Sequence, residues 1–309
     1  MTDYARLLEP RAITEARLID CSVPEPDAGV GEIAWTSGED TAIGELRIRA
    51  STHRVYKDAK GGVSTVAPEL DPTRWKDEGP TNRWAWADYY ESTVTTGASP
   101  LTLRVRPGVF GSIVFRALDT GSVRVQCWDA PGGALYHDQT YATDDYLTGD
   151  LMWEFYFGEP RQRTYLLIDN LPLHPAAEVL ITMTSLAGAA AAGVGTVAFG
   201  LWETLGLPEF VFDADLIDRS RIEEEPVTGR MRIKRGVPAV NVSGTCVLDD
   251  VQASRVAEVI ARYLGVPVAI SISAAARYDY LNTFGLVSAT VSAINPKQAR
   301  VRLRTRGIT

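Results

Sequence analysis

Between residues 84 and 206, apolar residues recur at every second position in short runs, and each run ends in turn-forming residues. The run at 101–106 stops at Pro107 and Gly108, the run at 112–118 at Asp119 and Gly121, and the run at 122–128 at the Pro131, Gly132, Gly133 turn. Further runs follow at 151–159, 164–169, 178–184 and 195–202, with no helix-period segment among them. Short strands at this spacing predict a two-sheet sandwich of jelly-roll type over 84–207.

The pattern changes on both sides. Residues 1–34 carry Pro10, Pro24 and Pro26, which leave no room for a long helix and predict an arm of short extended pieces that docks on a neighbour. In 35–83, Leu46 and Ile48 alternate with polar residues, as do His53 and Val55, predicting a small antiparallel pair. From 208 the strands around 231–235 and 239–248 lead into a helix predicted over 249–264. Asp249 or Asp250 is placed to cap it, Val256, Val259, Ile260 and Leu264 form one stripe, and Gly265 and Pro267 stop it. One helix on the strands that follow predicts a C-terminal α+β layer domain over 208–309. The predicted class is therefore mainly β: a jelly-roll-like sandwich flanked by a small N-terminal β unit and a C-terminal α+β domain with one main helix.

Composition narrows the function classes. At 309 residues the chain is long enough for two or three cores, and its net charge of -8 argues against a general nucleic-acid binder while leaving a local basic patch open. Residues 1–19 have no apolar core of the signal-peptide kind, so synthesis and folding in a cytoplasm are expected. The weakly polar stretch 186–201 is too short and small-residued for a membrane span; a strand pair or loop packed on another subunit is expected. Cys21, Cys127 and Cys246 are far apart and read as buried small hydrophobes.

Chemistry is sought mostly in vain. With His53, His137 and His174 as the only histidines and no Gly-x-Ser-x-Gly elbow, a hydrolase triad is not expected, and no enzyme activity, cofactor or metal is assigned. Asp213, Asp215 and Asp218 form no calcium loop and read as solvated acids. The ligand hypothesis with support is sugar: Trp128, Tyr136, Tyr141 and Tyr146 crowd the stretch 128–146, with Asp144 and Asp145 beside them. Aromatic faces stack on sugar C–H faces and acids take the hydroxyls. A tyrosine-rich loop serves a protein interface equally well, and both readings stand.

One stretch orders the rest. In 72–88, Trp75, Trp84 and Trp86 are interleaved with Arg74, Lys76 and Arg83 and broken by Gly79 and Pro80. The turns forbid a simple strand or helix, and the rings read as core anchors at a hinge between the small unit and a larger domain beginning at Trp84. This segment, preceded by the runs at 52–57 and 68–71, resembles tail proteins of long-tailed bacteriophages over residues 50–90. The resemblance implies a structural protein of the tail tip or baseplate, of distal-tail type, with a carbohydrate-binding-like sandwich. It further implies a virion location, a homo-oligomeric ring of three or six copies with residues 208–309 as its assembly domain, and other tail proteins as partners. Host surface polysaccharide is a further partner; nucleic-acid specificity and membrane insertion are not expected. The alternative is a freestanding carbohydrate-binding or glycan-active protein.

Overall fold

The computed structural model describes residues 4–143, 162–224, 231–234, 236, 239–273 and 276–308. It is mainly β with one α-helix, and it divides into two compact units. One comprises Met1–Arg11, Phe110–Ile113 and Ala198–Thr309; the other comprises Ala12–Val109 and Val114–Val197. The expected boundaries at 34, 83 and 207 do not describe this division, because strands far apart in sequence pair within each unit.

In the larger unit two sheets face each other. One has the strands Leu166–Ile168, Ser112–Asp119, Ala191–Gly200 and Thr95–Ala98, in that order. The other has Leu135–Ala142, Ser122–Trp128, Glu178–Thr184, Leu101–Val105 and Leu18–Cys21. Apart from the hairpin 122–142, successive strands from Thr95 onward alternate between the sheets, which is the wrapping of a jelly roll. The alternation read from the sequence is the alternation of burial: Leu101, Leu103, Val105, Val123, Val125, Cys127, Val179, Ile181 and Met183 all face the core. The run at 151–159 lies outside the described residues. The Ala- and Gly-rich stretch corrects the reading of a surface packed on another subunit: Ala191–Gly200 is an inner strand of the four-stranded sheet, buried along nearly its whole length. Small residues are needed there, since a Cβ at Gly195 would lie 2.7 Å from the Ala117 methyl.

The small β unit belongs to the same compact body. Leu46–Arg49 and Arg54–Asp58 pair as expected, but a third strand, Trp75–Pro80, joins them, so the tryptophan stretch does contain a strand. The buried set also differs from the expected one. Leu46 is exposed, whereas Arg47, Tyr56 and Asp58 are buried. Asp58 is the centre of a polar core: it accepts from Arg74 Nη2 at 2.7 Å, Thr41 Oγ1 at 2.6 Å, and the backbone N–H groups of Lys60 and Gly61 at 2.9 Å each. Polar partners took these inward positions, which hydrophobic periodicity does not detect.

The second unit is a closed barrel. Ala5–Leu8, Trp202–Ile217, Ala239–Asp249, Gln298–Gly307, Thr283–Asn295 and Pro267–Ser271 follow one another round it, and the last pairs back to the first. All six junctions are antiparallel, and closure removes the free edges that an open sheet would present. The open α+β layer expected for 208–309 is thus completed by four residues from the opposite end of the chain, too short a piece to announce itself. Phe212 lies over Gly244, where a Cβ would sit 2.2 Å from the ring, so this position in the middle of the wall strand requires glycine.

The helix spans Asp250–Arg262. Val256, Val259 and Ile260 join Val242, Cys246, Val301 and Leu303 in one apolar cluster. Two details depart from expectation: Asp249 occupies the cap without a side-chain hydrogen bond, and Leu264 is exposed while Tyr263 takes the buried place. Tyr263 Oη donates to Glu9 Oε2 at 3.0 Å, tying the helix end to the N-terminal segment of the same unit. No described helix is long and apolar enough to cross a membrane.

Candidate functional site

The aromatic stretch singled out in the sequence forms a hairpin at the edge of the five-stranded sheet. Ser122–Trp128 runs into a turn at Ala130–Gly133, closed by a bond from Gly133 N–H to Ala130 O at 2.9 Å, with Pro131 first and Gly132 at positive φ second. That order is what a type II turn demands. On the return strand the register slips: Cys127 faces His137 and Trp128 faces Leu135, leaving Tyr136 as the extra residue of a bulge.

The bulge divides the candidate residues between two faces. Trp128 shares the outer face with Arg124 and Gln126. Here Arg124 pairs with Asp138 at 2.7 Å, and Gln126 donates to the same carboxylate at 3.1 Å. The next strand continues this face with Glu178, which is opposite Trp128 and only 1% exposed. Burial raises the Glu178 carboxyl, but hydrogen bonds from Arg106 and Arg104 outweigh it and hold the group below its usual range.

On the other face, His137, Gln139 and Tyr141 project in a row from the edge strand, opposite Cys127, Val125 and Val123. The Tyr141 hydroxyl donates to Gln139 Oε1 at 3.0 Å and stands 3.3 Å from His137 Nε2, with the two rings nearly parallel. Tyr136 turns towards Cys127 and packs on His174 at 4.7 Å between ring centroids. Its hydroxyl is buried beside the Cys127 thiol. Desolvation lowers His137, keeping the imidazole neutral near pH 7, and raises Tyr141. Burial pushes the Cys127 thiol up to about 12, which makes it inert as a nucleophile.

Of the six glycan-contact candidates, the structure brings Tyr136 and Tyr141 to one edge and places Trp128 on the opposite face. Asp144, Asp145 and Tyr146 lie outside the described residues. His137, Gln139 and His174 complete the row and were not in the candidate set. The signal was present, since positions 137, 139 and 141 alternate on an edge strand, but the histidines were weighed only as members of a hydrolase triad. The row offers an imidazole, an amide and a phenol at steps of about 6.7 Å along a strand, groups that exchange hydrogen bonds with hydroxyls and present flat faces to C–H surfaces.

The tryptophans of the hinge stretch are all buried: Trp75 in the third strand of the small sheet, Trp84 and Trp86 beside the short Ala85–Ala87 turn. They pack inside one compact unit. No described group of three or more histidine, cysteine or carboxylate side chains is arranged to hold a metal.

The barrel unit offers a different surface. Between two wall strands the chain makes an excursion whose described part is a two-stranded ribbon, Arg221–Glu224 with Met231–Lys234. Ile222 and Ile233 are directly paired and share a face with Met231; the three are 65%, 65% and 71% exposed. Leu216, near the end of the wall strand leading into the ribbon, is 79% exposed.

No family model matches the chain, and no curated protein matches it. Among solved structures, the family 32 carbohydrate-binding module (CBM32) of AlyQ, in complex with 4,5-unsaturated mannuronic acid, is similar at 10% identity and a TM-score of 0.27. The match covers 38% of this chain and 83% of that one. The family 32 module from C. perfringens NanJ, in complex with galactose, is similar at 14% identity and a TM-score of 0.26, over 38% of this chain and 82% of that one. The chain is a mainly β protein with a jelly-roll sandwich, and its distant structural neighbours are carbohydrate-binding modules.

Proposed function

We propose that the chain is a non-catalytic structural component of the tail tip or baseplate of a long-tailed bacteriophage. In this reading, barrel units of identical copies assemble into a ring of three or six, and the sandwich contacts cell-surface glycan. The virion is its location, and other tail proteins and host polysaccharide are its partners. The observation that carries the assembly is the ribbon. A two-stranded hairpin is marginal alone, and this one turns three large apolar side chains to solvent on one face. Such a face marks a protein-binding surface, and a second copy of the chain is the occupant that builds a closed ring.

The test is the solution mass of the full chain by light scattering over a concentration series, with negative-stain images of the same sample. Rings are expected for the native chain. Ile222→Asp with Ile233→Asp should yield monomers of unchanged far-ultraviolet circular dichroism, because the ribbon lies outside the barrel core. A native chain that stays monomeric at every concentration refutes the assembly.

The row His137, Gln139, Tyr141 favours the second part of the reading and also the alternative, a freestanding glycan binder. Weak binding to individual saccharides on an array is expected, strengthened by many copies. Tyr141→Ala should reduce the signal at least about tenfold, the loss of one good contact of about 1.4 kcal/mol, while Trp128→Ala, on the other face, should leave it in place. A monomer with strong saccharide affinity would favour the freestanding protein.

A further inference from the structure

Outside the ribbon and the sandwich edge, the outer wall of the barrel carries an arrangement with no counterpart elsewhere in the described residues. Along Gln298–Gly307 the inward residues are Ala299, Val301, Leu303 and Thr305, so Arg300, Arg302, Arg304 and Arg306 all point outward. The neighbouring strands place hydroxyls on both sides. Ser292, Thr290 and Ser288 stand opposite Arg300, Arg302 and Arg304 on one flank, and Thr245 and Ser243 stand opposite Arg302 and Arg304 on the other.

Arg300 is paired with Glu209 at 3.3 Å. Arg302, Arg304 and Arg306 are exposed, and no described residue gives their side chains a hydrogen bond or an ion pair. The acids of this face, Asp213 and Asp215, stand opposite Ser243 and Asn241, one strand further away, and make no ion pair with the row. Three unneutralised guanidinium groups are thus held in line on a protein of net charge -8. Like charges at this spacing repel one another, and nothing in the fold requires them.

We propose that this row binds the phosphodiester backbone of a nucleic-acid strand without reading its sequence. Alternate residues of a strand are about 6.7 Å apart, a spacing of the same order as the phosphate repeat of an extended sugar–phosphate chain. Each guanidinium can present its planar fork to one phosphate, and the flanking serine and threonine hydroxyls donate to remaining phosphate oxygens. The described outward residues of these three strands include no aromatic side chain on which a base could stack, so the contact is electrostatic and indifferent to sequence. The overall acidity of the chain disfavours nucleic acid everywhere else and confines it to the row. The inference does not depend on ring assembly.

The test is fluorescence anisotropy of a labelled 20-nucleotide oligo-dT with the full chain over a salt series. Three phosphate contacts predict a slope of log K against log salt of about -2. Arg302→Gln, Arg304→Gln and Arg306→Gln together should abolish binding, and each alone should reduce the slope by about 0.7. Arg124→Gln, on the sandwich, is the control and should bind as the native chain does. The three side chains are exposed, so an unchanged melting temperature is expected in the triple variant. Absence of salt-dependent binding by the native chain overturns the proposal, as does binding that survives in the triple variant. Tighter binding of polyglutamate or of a uronate polymer than of oligo-dT also overturns it, by assigning the row to another polyanion. So does a triple variant that loses assembly when the native chain binds no oligo-dT, since the row is then a subunit contact.

Discussion

Replacing Arg74 by methionine is expected to destabilise the sandwich-bearing unit by about 3–5 kcal/mol, the usual consequence of removing one partner from a buried ion pair. Asp58 is 0% exposed and takes two hydrogen bonds from the Arg74 guanidinium, which itself donates to Val63 O at 2.9 Å. Methionine keeps much of the volume but leaves the carboxylate with Thr41 and two backbone N–H groups as its only neutralisation. Urea titration of the full chain is the measurement, and a loss below about 1 kcal/mol would show that the pair is not the centre of this core. Changing both residues, Asp58→Asn with Arg74→Met, should recover part of the loss, because no buried charge is then stranded.

The same pair sets a pH dependence whose sign is fixed. Burial raises the Asp58 carboxyl, but bonds from Arg74, Thr41 and the two amides overcome it and leave the folded-state value far below the ordinary one. A depressed carboxylate stabilises the fold fully above the unfolded pKa of about 4 and loses that contribution as pH falls towards the folded value. The native chain should therefore lose stability below about pH 4 more steeply than Arg74→Met, whose Asp58 no longer has the guanidinium to hold its proton off.

How much of this was legible beforehand depends on the kind of signal. The sandwich was legible because its buried positions are apolar and strictly alternating, as at 101, 103 and 105 or 123, 125 and 127. The polar core around Asp58 was not, since Arg47, Asp58 and Arg74 carry charges that periodicity assigns to solvent. Barrel closure was hidden for a topological reason: Ala5–Leu8 pairs with Trp202–Ile217 on one side and with Pro267–Ser271, far later in the chain, on the other, and nothing local to four residues encodes that. The helix was legible over most of its length, but its end was read two residues too far, at 264 instead of Arg262, and the last buried place belongs to Tyr263 in place of Leu264. At the candidate site, the aromatic residues were found as a sequence cluster, while their division into two faces depends on a one-residue bulge at Tyr136. Period-two counting across Leu135–Ala142 has no means of placing such an extra residue.

Trp86→Ala is expected to cost about 3–5 kcal/mol, and more than Trp84→Ala. Both side chains are buried, so the ranking comes from their partners. The Trp86 indole donates to Arg83 O at 3.0 Å, and its backbone N–H donates to Thr95 Oγ1 at 2.9 Å. Thr95 Oγ1 in turn donates to Asn82 O at 2.7 Å, and the Asn82 amide bonds Asp27 and both the N–H and C=O of Thr96. Losing the Trp86 ring therefore opens a cavity beneath a chain of bonds that fastens the segment around Asp27 to the strand Thr95–Ala98. Trp84 stacks on His53 at 4.4 Å, but its indole N–H has no partner among the described residues, so its removal strands no acceptor. Trp86→Phe should fall between native and Trp86→Ala. Denaturant midpoints at unchanged m-value test the order, and a larger loss for Trp84→Ala would invert the argument. Because Trp86 and the ribbon belong to different compact units, the substitution should also separate the two halves of the proposed function. Below its unfolding transition, Trp86→Ala should still assemble to the native mass, whereas Ile222→Asp with Ile233→Asp should bind saccharide as a monomer and form no ring.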